Sequence, residues 1–291
     1  MTRFHDGLGR VYISSTSFRN RSLAHVLAGA HEVGAGAVEL SALDDWDPGA
    51  VLRSPHRFLL HNYCPPPSAP FVLNVASSDP ETLDRSLAHC RAAIDLSAVL
   101  GAPVYAAHAG YATGLAPELL GNPRAQAGLP VDAMDSYEDT YARLVASART
   151  LTTYARSRGI RFLIENHCLS AMSGPPGRRL LPMVTSQELR RLVADVGDES
   201  FGVLADVGHL NVSAQALGFD RVAFLDDLGP CIGGFHLSDN DGVVDEHRGF
   251  GRDAWFMPIV REYRCLPITI ELNRAATDEI RRTLDVVASL L

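Results

Sequence analysis

The sequence contains no lysine: all 26 of its basic side chains are arginine. Chemistry that needs a lysine amine is therefore excluded, including a lysine Schiff base, a lysine general base and a P-loop lysine on a nucleotide phosphate. Long apolar runs are missing too; none approaches the ~18 residues that a membrane helix requires. The five cysteines, Cys64, Cys90, Cys168, Cys231 and Cys265, are scattered, odd in number and without a CxxC pair. That pattern argues against a disulfide framework and for reduced thiols in a cytoplasmic protein. The N-terminal stretch MTRFHDGLGRVYISST places histidine, aspartate and glycines where a secretory leader would carry its apolar segment, so export is not expected. The formal charge of −8 withholds the clustered cations that nonspecific nucleic-acid binding demands.

What is present is the composition of a soluble globular protein, 46% hydrophobic and 21% charged. The length of 291 residues suits one α/β barrel, which commonly uses about 250 residues as a single unit. Short apolar, β-branched runs alternate with longer stretches of helical period, the signature of βαβ units and a parallel sheet. Eight strands are read at 10–15, 37–41, 57–62, 103–108, 161–166, 201–206, 232–237 and 268–272. Helical periodicity covers 21–33, 81–100, 135–158, 187–196 and 275–290. In SSDPETLDRSL, Ser78 or Asp79 can cap a helix, with Pro80 in its first turn. A doubly wound open sheet is the alternative, but no GxGxxG follows the first strand. The expected architecture is thus a single (β/α)8 TIM barrel over residues 1–291. Loop insertions near 110–134 and 168–185 follow strands and lie on the face that carries barrel active sites, which makes them candidate lids.

The strand ends carry the chemistry. Strand three ends in His61 and Asn62, four in His108, five in Glu165, six in Asp206 with His209 three residues on, seven in His236 and eight in Glu271; strand two contributes Glu39. A parallel barrel sends all of these carboxyl ends to one rim. Burying a single unpaired carboxylate costs several kcal/mol, so several acids gathered with histidines require a cation among them. Mixed carboxylate and imidazole ligation suits Mn, Co, Mg, Fe or Zn as the divalent ion.

The segments IENH (164–167), ADVGHL (205–210), FHLSDNDGVVDEHRGFG (235–251) and IELN (270–273), together with LLHNYCPPP (59–67) and AAHAG (106–110), carry a resemblance. They resemble the sugar isomerase and epimerase family that shares the xylose-isomerase-like barrel with endonuclease IV. The resemblance implies that Glu165, Asp206, His236 and Glu271 hold one metal that chelates adjacent substrate oxygens. It implies further that Glu165 and Glu271 are the catalytic pair on opposite faces of the reacting carbon. Such a pair can remove and return a proton while the metal polarises the carbonyl. By the same resemblance His209 lies near the substrate and Arg248 or Arg252 holds a polar group of it; Glu39 and Asn62, at the same rim, are further candidate substrate contacts. The endonuclease IV branch implies additional metal or substrate positions at His61, His108, His209, Asp245 and His247, which would complete a trinuclear set.

The expected function is a divalent-metal-dependent isomerase or epimerase of a small sugar, ketose or keto-polyol acting through an enediolate. A dehydratase is a close variant of that chemistry. The alternatives are a multinuclear phosphoesterase of the endonuclease IV kind, disfavoured by acidic charge and missing lysine, and a non-catalytic sugar-binding barrel, disfavoured by the intact quartet. The partner is a carbohydrate-like small molecule, with no membrane; homo-oligomerisation is left open.

Overall fold

Parallel strands bury both faces, so each strand of this chain has to satisfy two environments with one alternating pattern. The computed structural model describes residues 10–173 and 180–289. Residues 1–9 of the N-terminal stretch read for a leader and residues 174–179 of the second loop insertion fall outside them. The strands are β1 Val11–Ser14, β2 Ala37–Leu40, β3 Arg57–His61, β4 Val104–His108, β5 Arg161–Glu165, β6 Phe201–Asp206, β7 Ile232–Leu237 and β8 Ile268–Ile270. They pair in sequence order, all parallel, and β8 closes onto β1 with Ile270 beside Ile13. The barrel expected from the sequence is the one observed, with strand ends differing by no more than two residues.

The helices are α1 Leu23–Glu32, α2 Pro48–Arg53, α3 Pro80–Val99, α4 Pro123–Ala127, α5 Tyr137–Ser157, α6 Ser186–Val196, α7 Val207–Leu217, α8 Arg221–Leu228, α9 Met257–Val260 and α10 Thr277–Ala288. Asp79 caps α3, its carboxylate accepting from the Thr82 amide at 2.9 Å. Among the described residues no helix is long and apolar enough to cross a membrane.

The two-residue period separates two sets of side chains. Val38, Leu40, Phe58, Leu60, Tyr105, Phe162, Ile164, Val203, Phe235 and Ile270 face outward and pack under the helices in the main core. The intervening positions face inward. At the amino ends they are Tyr12, Ala37, Leu59, Ala106, Leu163 and Leu204, a small apolar plug. Two residues further along the same strands they become Ser14, Glu39, His61, His108, Glu165 and Asp206. On β7 and just beyond β8 the same parity delivers His236 and Glu271. The barrel interior therefore changes from hydrocarbon to ionisable groups within one pleat.

Helices α7 and α8 escaped the sequence reading. The first starts with no loop after β6 and is buried on most sides, so it has no polar face to set a 3.6-residue rhythm. Its start demands Gly208, because a Cβ there would lie 2.5 Å from Ser238 Oγ, 3.1 Å from Asp245 Oδ1 and 3.2 Å from Asp206 Oδ1.

Two substitutions test this packing. Leu144→Ala empties a fully buried site on the inner face of α5 and is expected to cost about 2–5 kcal/mol in chemical denaturation. Gly208→Ala is expected to cost about 1–3 kcal/mol through overpacking at the rim, read by the same measurement on chelator-treated protein.

Candidate metal centre

Each candidate ligand is held by a local device that uses one polar atom and leaves another free. Asp206 is both the last residue of β6 and the N-cap of α7. Its Oδ1 accepts from the His209 amide at 2.7 Å, which leaves Oδ2 buried with no hydrogen-bond partner. Glu271 turns Oε1 toward the Ser14 and Thr16 hydroxyls, at 3.5 and 3.4 Å, and Oε2 toward His236. His209 sets Nδ1 2.8 Å from the Asn166 carbonyl, so that nitrogen donates and Nε2 is free to ligate. Asn166 also exchanges two bonds with the Asp206 backbone, donating to its carbonyl at 3.0 Å and accepting from its amide at 2.8 Å.

The quartet converges. His236 Nδ1 lies 3.3 Å from Glu165 Oε1, 3.7 Å from Asp206 Oδ2 and 3.1 Å from Glu271 Oε2. Ligand atoms about 2.1 Å from one ion stand roughly 3–3.5 Å apart, so this spacing fits a shared cation. Glu165 Oε1, Asp206 Oδ2 and His236 Nδ1 are buried and lack hydrogen-bond partners. Orphaned lone pairs directed at one point are what a cation would satisfy. The donor set of three carboxylates and an imidazole suits a divalent ion.

Three further groups adjoin it, one of them Glu39, His61 and His236. Glu165 Oε2 lies 2.8 Å from His61 Nε2 and 2.9 Å from His108 Nε2, so this one carboxylate serves both the quartet and the group with His61 and His108. On the other side Asp245 Oδ2 lies 3.1 Å from His209 Nε2 and 2.9 Å from His247 Nε2. The loop after β7 presents Asp245 and His247 through backbone bonds in both directions between Asp239 and Arg248, each 2.9 Å. His247 itself sits at φ 48°, an uncommon backbone for a non-glycine residue and a form of strain concentrated at functional sites.

Charge in this cluster is strongly perturbed. Burial alone would raise the pKa of Glu165, but His61, His108 and His236 outweigh it and hold the carboxyl well below its ordinary range. Burial lifts Asp206 to about 7, against the pull of His209. For Glu271 burial is again outweighed, by His236 and His247, and the group falls to about 2. Burial would lower His247, yet Asp245 raises it to about 9. Perturbation of this size, concentrated in one place, marks a functional centre.

The centre opens into a cavity of about 350 Å³ lined by His108, Tyr111, Gln126, His167, His209 and Asp245 among others. Its roof comes from the two loop insertions, which are joined to each other. The Ala112 amide donates to the Leu180 carbonyl at 2.9 Å, and Val72, Tyr111 and Leu180 form a separate small core with Leu115, Leu120, Leu129 and Met134. Among the described lining residues there is no arginine.

The structure brings Glu165, Asp206, His236 and Glu271 together with His61, His108, His209, Asp245 and His247. The four other residues expected to contact substrate lie around this cluster or outside it. Arg248 is half-exposed and paired with Glu246 at 2.8 Å, and Arg252 is exposed. Asn62 is buried at φ 44°, with Oδ1 accepting from the His108 amide at 2.8 Å, so it positions that strand end. Glu39 lies behind His236, 2.8 Å from its Nε2. Sequence reasoning passed over His167, although it stands in the IENH segment. Its Nδ1 is 2.7 Å from the Pro182 carbonyl, it stacks on Tyr111, and burial pushes it down to about 3. Ser14, Thr16 and Asn166 were also missed; hydroxyl and amide residues beside strand ends carry no distinguishing signal.

Comparison with known proteins places this arrangement in context. No match was found among curated proteins. Among solved structures, a D-tagatose 3-epimerase-like protein superposes with a TM-score of 0.70 at 20% identity, covering 96% of this chain and 98% of that one. D-psicose 3-epimerase from Clostridium cellulolyticum H10 gives 0.67 at 14% identity, covering 97% and 99%. The TTHB071 protein from Thermus thermophilus, in crystals soaked with ZnCl2, gives 0.62 at 20% identity, covering 96% and 98%. At these identities the likeness is one of fold. The sequence itself matches the model of one family over residues 27–290, and the chain belongs to the xylose isomerase-like TIM barrel family.

Proposed function

We propose that this protein is a divalent-metal-dependent isomerase or epimerase of a small sugar, ketose or keto-polyol that works through an enediolate. The observation that carries the reading is the pair of carboxylates, Glu165 and Glu271, which reach the same imidazole nitrogen from β5 and from the end of β8, at 3.3 and 3.1 Å. Two acids that approach one point from separate strands can address two sides of one carbon.

Glu165, Asp206, His236 and Glu271 would hold the ion, whose chemistry is to polarise a carbonyl and acidify the neighbouring C–H. The chain's own residues supply the remainder. One glutamate removes the proton and the other returns it, an arrangement in which a positioned carboxylate contributes roughly 10²–10⁴-fold each. His209 and His167 wall the cavity beside the centre and can meet substrate hydroxyls. The roof of Tyr111 and Leu181 limits water access to a reactive intermediate. A cavity of about 350 Å³ with no described arginine in its lining suits a small neutral polyol better than a polyanion. The similarity of fold to proteins named as ketose 3-epimerases supports the same reading.

A second reading, a multinuclear phosphoesterase, is favoured by one observation. His61, His108 and Glu165 form one ligand group, His209, Asp245 and His247 another, and both adjoin the quartet. Bridging ions in such a set can activate hydroxide and stabilise phosphorane charge.

Two measurements separate these readings. Elemental analysis of purified protein is expected to give one equivalent of divalent metal for the isomerase; nearly three would favour the phosphoesterase. In D2O, with a panel of ketoses and keto-polyols, the wild type is expected to place solvent deuterium at the carbon next to the carbonyl. Glu271→Gln and Glu165→Gln should each lower turnover by at least about 100-fold and suppress that exchange. Phosphodiester cleavage that is lost in Asp245→Asn, with no ketose conversion by wild type, would replace the isomerase by the phosphoesterase.

A further inference from the structure

Glu39 is the rim carboxylate that lies behind His236, on the side of the ring away from Glu165, Asp206 and Glu271. It is 2% exposed, is absent from the cavity lining and projects inward from β2 toward β7. Its Oε2 accepts from the Thr269 hydroxyl at 3.0 Å, which anchors one end of the carboxylate to β8. Its Oε1 stands 2.8 Å from His236 Nε2, a close contact short of hydrogen-bond alignment, and neither of these buried atoms has a hydrogen-bond partner. The opposite nitrogen of that ring, Nδ1, faces Glu165, Asp206 and Glu271.

A neutral imidazole carries one proton and one lone pair, on different nitrogens, and a ligand must offer the lone pair to the ion. A carboxylate oxygen beside Nε2 is answered only if the proton sits there. The other tautomer would set two lone pairs against each other at Nε2 and put a proton on the metal side. We infer that Glu39 is a positioning residue: anchored by Thr269, it takes a hydrogen bond from His236 Nε2 and so commits Nδ1 to the metal centre. The inference rests on the metal-dependent reading of the quartet. His209 meets the same need with a backbone carbonyl, that of Asn166. A charged acceptor in place of a carbonyl makes His236 the more basic ligand, which strengthens its bond to a cation.

The test is divalent-metal affinity of substrate-free protein, measured with Zn2+ against a competing chelator for the wild type, Glu39→Ala, Glu39→Gln and Thr269→Val. Histidine side-chain ¹⁵N NMR of the zinc-loaded proteins reports which ring nitrogen of His236 keeps its proton. Glu39→Ala is expected to weaken zinc binding roughly 10–100-fold and to loosen the preference for an Nε2 proton. Glutamine still offers an oxygen to Nε2, so Glu39→Gln should keep the tautomer and recover part of the affinity; Thr269→Val should cost less than either. A purely structural glutamate would change unfolding temperature without moving the NMR signature or showing this graded order. If the alanine variant does not fold, the near-isosteric Gln and Val variants carry the comparison. Zinc affinity and tautomer unchanged in all variants would overturn the inference, and a raised KM for ketose with intact zinc binding would make Glu39 a substrate contact. Failure of the wild type to bind zinc, manganese or cobalt would instead remove the centre itself.

Discussion

Glu165 is fully sealed from solvent, and both of its oxygens must be answered by something other than water. One side is met by His61 and His108, the other by His236 and, through it, the remaining carboxylates. An ionised carboxylate in such a place costs several kcal/mol unless its surroundings are built for it. Much of the rim follows from that requirement. Asn62 fixes the end of β4, Asn166 fixes the end of β6, and the Asp239–Arg248 bridge holds the loop that carries Asp245 and His247. Remove the closed barrel and these side chains would be scattered over 211 residues of chain, from His61 to Glu271.

The interior divides labour by depth. The apolar plug of Ala37, Leu59, Leu163 and Leu204 supplies a dry floor, and the ionisable layer lies one pleat above it. Low polarity beneath the cluster strengthens each electrostatic interaction in it. The same arrangement lets the outer face of every strand pack against helices without regard to what the inner face does. The candidate ligands and the outward-packing core residues are therefore alternate residues of the same strands, as Glu165 and Ile164 are on β5.

The fold was legible because its signals are periodic. Strands with β-branched runs and helices with an exposed face announce themselves, and the eight strand ends could be read as one rim once a parallel barrel was supposed. Ligand candidates were legible for the same reason: an acid or histidine at the carboxyl end of a buried strand has no place in a core. The supporting residues were not. Asn166 and His167 act through a side-chain amide and a fixed ring nitrogen, and such roles depend on distances that no spacing encodes. Helix α7 was missed because burial on most sides removes the polar face that makes a helix visible, and α8 because its eight residues are too few to set a rhythm. Arg248 stands beside the ligand motif, and its pairing with Glu246 is likewise a matter of distance that no spacing encodes.

The two loop insertions share a hydrogen bond and a small core of their own, with Tyr111 contributed by one and Leu180 by the other. Neither can change shape alone. Any drift in sequence that reshapes the roof over the cavity must be matched in the partner loop, far along the chain, or the joint core opens to water. Selection for a new substrate therefore acts on the pair as one heritable unit, and an engineer wishing to borrow the roof of a relative would have to transplant both segments together.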